Sequence, residues 1–217
     1  MSEIFNEIDE DLRRERLKRL WDRYSLLIIG GALAIIIGVG GWRGYQYLEG
    51  QKAAEAGAAF NAAAELSEQN KHAEAEAAFA KIAASAPSGY RTLARLRLAG
   101  ELALRDVPAA VKAYDEVAAD NSVPAVDREL AKVRAGGLLL ETASFADMTQ
   151  RLEASAAGTG AYRHTARELL ALSAWKAGDA VAARKWLQLI ATDVETPSSL
   201  RQRAEALQAL LPPADKS

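Results

Sequence analysis

Few residues of this 217-residue chain have the types and spacing that catalysis or metal binding requires. Cysteine is absent, which excludes thiol catalysis, cysteine-ligated zinc and disulfides. The two histidines, His72 and His164, are far apart and have no neighbour that would orient them as metal ligands or general bases. No phosphate-binding loop, dinucleotide fingerprint, nucleophile elbow or HExxH string occurs. We therefore predict that the protein is not an enzyme and holds no cofactor or metal.

Arginines are the remaining candidates for a binding site. They form local clusters, which are Arg91, Arg95, Arg97 and Arg105, then Arg163 and Arg167, then Arg184 with Lys185. The formal net charge of the chain is −2, so no overall basic field attracts nucleic acid. We predict protein partners, and neither a nucleic-acid partner nor a small-molecule substrate.

Arg95 and Arg167 are the two arginines that we expect in a partner-binding groove. Both lie on the first helix of a predicted helix pair, and stacked first helices line the concave face of such repeats. There they would receive acidic or C-terminal groups of a protein partner. The alternative is that they form salt bridges with their neighbours Glu101 and Glu168, the commoner role of charged runs on helices.

These clusters follow a long apolar segment near the N-terminus. The segment YSLLIIGGALAIIIGVGGW, residues 24–42, contains no charge and is bracketed by Arg23 and Arg43. As a helix it spans roughly 28 Å, close to the ~30 Å hydrocarbon core of a bilayer. Trp and Tyr residues at both ends match the aromatic belts of membrane helices. We predict a single transmembrane helix over residues 24–44.

The charges beside this segment predict its orientation. The N-terminal flank carries six cations close to the segment, whereas the other flank has only Arg43 and Lys52. The positive-inside rule then places residues 1–23 in the cytoplasm and residues 45–217 across the membrane. A cleaved signal peptide is the alternative, but the apolar run is too long and the region before it too mixed in charge.

Two features of the N-terminal part leave alternatives open. Gly30, Ala34 and Gly38 have the small-xxx-small spacing that lets membrane helices approach closely, although glycine is common in such helices anyway. Apolar residues of the tail recur at helical spacing, at Ile4, Phe5, Ile8, Leu12, Leu17 and Leu20. The tail is then either an amphipathic helix on a membrane or partner, or a solvated segment whose cations set the topology.

Beyond the membrane segment the chain repeats an alanine-rich helical pattern. A small residue is followed by bulky residues one and two turns later in three places, which are Ala75-Phe79-Ile82, Ala110-Tyr114-Val117 and Ala183-Leu187-Ile190. Met148, Leu152 and Ser155 form a degenerate copy. Pro or Gly-Asp punctuation between the segments predicts helices at 46–68, 72–84, 89–104, 108–120, 124–141, 145–156, 161–177, 180–192 and 198–210.

The pattern predicts an all-α fold: one transmembrane helix, then an α-solenoid of about four helix pairs and a capping helix. Each pair exposes an apolar face, so consecutive pairs must stack to bury it. The last helix has Leu200, Ala204, Leu207 and Leu211 on one stripe, as a terminal cap requires.

The period of about 35 residues, with its Ala-x-x-x-Phe and Ala-x-x-x-Tyr second helices, resembles tetratricopeptide repeats. The start MSEIFNEIDEDLRRERLKRLWDRY, followed directly by the apolar run and about four repeats, resembles the YfgM-type ancillary subunits of the SecYEG translocon. Resemblance to this bacterial inner-membrane family implies that the repeat domain is periplasmic and links secretion to a membrane-anchored periplasmic chaperone. A scaffold for cell-envelope assembly or cell division is the alternative that the same architecture allows.

Overall fold

A computed structural model describes the backbone of residues 2–213 and the side chains in that range except residues 2–13, 15–17, 19, 20 and 28. The described residues form helices and turns without a strand, so the predicted all-α fold is confirmed. The chain divides into two compact units, Met1–Ala54 and Glu55–Ser217.

Helix α1, Ser2–Glu68, supplies the described part of the first unit and ends in the second. Its section Trp21–Glu68 is long and apolar enough to cross a membrane, with a mean hydropathy of 2.1 in its most apolar window. The large apolar side chains described in that window are exposed, and Leu26 is 87% exposed. A surface of this kind is poorly compatible with water. The apolar face expected of the tail involves side chains outside the described set.

Eight further helices follow in the described part of the second unit. They are α2 His72–Ser85, α3 Ser88–Leu102, α4 Val107–Ala119, α5 Ala125–Leu139, α6 Phe145–Ala157, α7 Arg163–Lys176, α8 Ala180–Thr192 and α9 Ser198–Leu210. Short turns join them, so successive helices form hairpins. The last turns of α1 pair with α2, α3 with α4, α5 with α6, and α7 with α8.

Two kinds of residue mark where these helices begin. Pro87, Pro124 and Pro197 occupy the N-cap positions of α3, α5 and α9, where their ψ is extended and the N–H that proline lacks is not required by the helix. The second helices α4, α6 and α8 are capped instead by side chains, from Asp106, Ser144 and Asp179. Each cap oxygen accepts a backbone N–H of the first turn, which satisfies a donor that the helix leaves free.

Three apolar clusters follow one another along the second unit. The N-terminal cluster centres on Phe79, packed at 5.3 Å between ring centroids from Phe60. The middle cluster joins α3, α4 and α5 through Ala99, Tyr114 and Ala131. The C-terminal cluster is the most extensive and runs from Val133 to Leu211. The residues predicted for helix packing are buried, including all four of the α9 stripe.

Contacts between first helices show how the pairs stack. Each helix from α2 onward packs against the next, and α5 also contacts α7 while α7 contacts α9. The first helices α5 and α7, and α7 and the capping helix α9, therefore lie side by side, as in an α-solenoid. This arrangement confirms the predicted stack of helix pairs and brings residues of α3, α5 and α7 onto one surface.

Candidate protein-binding site

An open cavity of about 450 Å³ lies where the first helices α3, α5 and α7 meet. Its lining is mainly apolar and comes from four helices and their ends: Gly100, Ala103, Tyr114, Leu130, Val133, Arg134, Gly137, Leu138, Tyr162, Thr165 and Leu169. The volume falls within the roughly 300–1,000 Å³ of typical ligand sites. We call it the first-helix cavity.

Glycines keep this cavity open. A Cβ atom built at Gly137 meets no other atom within 4 Å, so that position faces free space. At Gly100 the same Cβ would lie 3.5 Å from the Tyr114 hydroxyl. The adjacent Gly136 faces the other way, where a Cβ would lie 2.9 Å from Cδ1 of Leu152. The missing side chain of Gly136 thus allows α6 to pack closely against α5, and the missing side chain of Gly137 leaves the cavity beside α5 open.

Tyr114 places a polar group at the wall of the cavity. Its side chain is buried in the middle cluster, and burial raises the pKa of its phenol. The positive charges of Arg134 and Arg97 oppose that rise. The Tyr114 hydroxyl has no hydrogen-bond partner among the described residues, so it remains available to a bound group.

Arg97 and Arg134 are exposed and have no carboxylate within 4 Å in the described part of the chain. Arg134 lines the cavity from α5, and Arg97 lies one turn before Gly100 on α3. Two unpaired cations beside an apolar cavity form a site that attracts negative charge.

Arg95, predicted for the groove, is already bonded within the protein. Its Nη1 donates to the Asp120 carboxylate at 2.6 Å, and its Nη2 donates to the Glu116 carbonyl at 3.2 Å. Hydrogen bonds from Ser122 and from Arg95 lower the pKa of Asp120 to about 2. Arg95 therefore closes the C-terminal end of α4, outside the cavity lining.

Arg167, the other predicted groove residue, is buried. Its guanidinium donates to the carbonyls of Ala156 and Leu189 and to the Asp193 carboxylate at 2.8 Å. Arg163 donates to the same carboxylate, and this bond, ahead of the one from Arg167, holds the pKa of Asp193 well below its usual range. Arg167 thus ties α7 to the ends of α6 and α8.

The structure does not bring Arg95 and Arg167 together in one cavity. A role for either in receiving a partner stays a prediction, and the geometry favours Arg97 and Arg134 instead. Arg95 and Arg167 do form salt bridges, as the alternative predicted. Their partners are Asp120 and Asp193, so the predicted partners Glu101 and Glu168 were wrong. Glu101 accepts from Ser67 and His72, and Glu168 pairs with Arg203, because stacking joins residues distant in sequence.

Gly30, Ala34 and Gly38 lie on the exposed surface of α1. A Cβ built at either glycine meets no atom within 4 Å, so this side of the helix is open. The predicted helix–helix contact through these three residues stays a prediction.

These observations define the class of the second unit, an α-solenoid of helical hairpins with a surface suited to holding another protein. The model of the tetratricopeptide repeat-like domain family matches residues 18–185, more than three quarters of the chain. The chain therefore belongs to the tetratricopeptide repeat-like domain family, whose members are typically non-catalytic scaffolds. No curated protein and no solved structure matches the chain significantly.

Proposed function

We propose that this protein is a membrane-anchored scaffold that binds other proteins through its repeat domain. The observation that carries the proposal is the first-helix cavity, which is open and mainly apolar and is lined by Arg134, with Arg97 one turn before its lining residue Gly100. Neither arginine has a carboxylate partner among the described residues. The family relationship supports a scaffold, since such domains typically mediate protein–protein interaction.

The proposal divides the chain into a cytoplasmic tail at 1–23, a transmembrane helix at 24–44 and a periplasmic repeat domain at 45–217 in the bacterial inner membrane. The exposed apolar surface of Trp21–Glu68 supports the membrane helix. The excess of cations before residue 24 supports the orientation. Anchoring confines the domain to two dimensions near its partners, which raises its effective concentration there.

By resemblance, the partners are the SecYEG translocon and a membrane-anchored periplasmic chaperone. The domain would receive secreted chains from the channel and pass them to folding factors. A preformed cavity suits this role, because the scaffold itself then loses little conformational freedom on binding.

Purification tests the identity of the partners. The tagged full chain is isolated from gently solubilised membranes and compared with a variant that ends at residue 54. We expect translocon subunits and a periplasmic chaperone to accompany the full chain alone. Recovery of cell-division or envelope-assembly proteins in their place would contradict the translocon role.

Cysteine labelling tests the orientation, because the native chain contains no cysteine. Ser85→Cys places a single thiol at an exposed position in the repeat domain, and Ser2→Cys places one in the tail. In spheroplasts, a membrane-impermeant maleimide should label the first variant directly and the second only after permeabilisation. The reverse pattern would overturn the proposed topology.

A further inference from the structure

The first-helix cavity combines an apolar recess with two cations that the described residues leave unpaired. We propose that it binds a protein segment carrying a carboxylate next to a large apolar side chain. In the bound state the apolar side chain enters the recess and the carboxylate meets Arg97 and Arg134. This inference rests on the proposed scaffold function and names the chemistry of its ligand.

The recess itself offers an apolar surface to a ligand. Leu130, Leu138 and Leu169 line it, while Gly137 contributes no side chain and leaves the space free. A leucine or phenylalanine side chain placed there would remove apolar surface of both partners from water. That burial favours binding in proportion to the area covered.

The two arginines beside the recess complement a negative charge on a ligand. Arg97 and Arg134 differ from Arg95, Arg163 and Arg167, whose guanidinium groups are held by acceptors of the chain. A guanidinium presents a planar set of donors that matches the two oxygens of a carboxylate. Tyr114 lines the cavity, and its hydroxyl makes no hydrogen bond among the described residues, so a carboxylate here gains donors from two helices and a hydroxyl.

The surroundings of the recess favour a protein segment over a small organic acid. Leu93 lies one turn before Arg97 on α3, and Val126 lies one turn before Leu130 on α5; both side chains are nearly half exposed. The apolar surface therefore continues beyond the recess along both helices. A segment of several residues covers such a surface, whereas a small acid fills only the recess.

Selection from a soluble library of random nine-residue peptides on the detergent-solubilised full chain tests the proposal. The retained peptides are sequenced and their composition is compared with the input. We expect enrichment of Asp or Glu adjacent to Leu, Ile or Phe. A retained peptide is then used for titration, where a carboxamide in place of its carboxylate should weaken binding about tenfold, the effect of losing a charge-assisted bond.

Matched variants separate the cavity from the rest of the surface. Arg97→Gln with Arg134→Gln should abolish the acidic enrichment, whereas Lys132→Gln removes one charge from another side of α5 and should preserve it. Gly137→Phe fills the recess from a position with free space, so it should abolish apolar enrichment while the chain stays folded. Circular dichroism of each variant checks folding.

Two outcomes would overturn the proposal: a retained pool without acidic enrichment, or enrichment that persists in both cavity variants. The selection needs neither membrane nor translocon. Peptide binding without recovery of translocon subunits would therefore refute the translocon role alone, and recovery of those subunits without acidic enrichment would refute the ligand chemistry alone.

Discussion

The C-terminal helices α6–α9 and the middle helices α3–α5 use the same residue types in opposite ways. In the C-terminal region, Arg163 and Arg167 converge on Asp193 above an extensive apolar cluster. In the middle region, Arg97 and Arg134 have no such partner among the described residues, and the cluster beneath them borders an open cavity. Arg163 and Arg167 are thus bound within the protein, whereas Arg97 and Arg134 remain exposed.

This difference shows that the role of an arginine on a repeat helix depends on which groups lie opposite its guanidinium. A buried guanidinium needs acceptors, because leaving one unpaired away from water costs several kcal/mol in order of magnitude. An exposed guanidinium beside a recess has no such need and is free for a partner. The C-terminal region contains the most extensive apolar cluster, and the middle region keeps an open cavity.

The largest expected difference is in core packing. Leu152 is fully buried between α5 and α7, so Leu152→Ala should reduce the free energy of unfolding by about 3 kcal/mol, the usual cost of such a cavity. Leu130 lines the first-helix cavity and is partly exposed, so Leu130→Ala should cost about 1 kcal/mol or less. Thermal unfolding of the solubilised full chain measures both. Equal losses would contradict the contrast between the regions.

The second prediction concerns the adjacent glycines of α5. Their substitution by alanine should change the free energy of unfolding in opposite directions. Gly136→Ala should destabilise the chain by about 1 kcal/mol, since strain against Leu152 outweighs the gain in helix propensity. Gly137→Ala should stabilise it by about 0.5–1 kcal/mol, because its Cβ meets open space. The same melts measure this pair, and stabilisation by both substitutions would show that Leu152 yields readily.

The arginines provide the third test. Arg167→Gln removes donors from Ala156, Leu189 and Asp193, so the melting temperature should fall by several degrees. Arg134→Gln should leave it nearly unchanged while weakening the binding of an acidic peptide. If Arg167→Gln melted like the native chain and Arg134→Gln did not, the roles assigned to the two regions would be exchanged.

The smallest expected effect is a dependence on pH in the C-terminal region. The Thr196 hydroxyl donates to the Ile190 carbonyl, so Nδ1 of His164 donates to that hydroxyl. Nε2 is then the unprotonated nitrogen, and it is buried without a partner in the described structure. Burial, followed by the charge of Arg163, lowers the pKa of His164 from its ordinary 6.5.

The direction of the pH dependence follows from whether the folded or the unfolded chain binds a proton at His164 more readily. Below about pH 6.5 the unfolded chain protonates this histidine more readily than the folded chain, so stability falls as the pH decreases. The measurement is the difference in melting temperature between the native chain and His164→Phe from pH 7.5 to 5. That difference should change in favour of the variant at low pH, and a constant difference would exclude His164 as the source.

The helices and their buried stripes followed from the sequence because they depend on local spacing. Alanine followed by a bulky residue one turn later identified Phe79, Tyr114 and Leu187, and proline or aspartate fixed the helix starts. The choice between Arg95 and Arg97 was beyond that reasoning. The two differ by about 200° around α3, and only the packing of α4 against α3 decides which one meets Asp120.

The partners of the buried charges were also beyond local reasoning. Glu101 bonds to residues about thirty positions earlier, and Glu168 to Arg203 a similar distance later. Separations of this size are set by the repeat and not by the helix period. The basic cluster that includes Arg97 was visible in the sequence, but its empty surroundings were not.

The three apolar clusters have a consequence for how this chain acquires its structure. Each is built from neighbouring stretches of sequence, about residues 55–98, 96–138 and 133–211. Short separations lower the entropy lost in closing each unit, so they favour rapid folding. Because the chain is synthesised from its N-terminus, it can bury the cluster around Phe79 before the segment containing Asp193 has been made. Folding would then proceed in step with delivery of the chain, each completed pair offering a surface to the next.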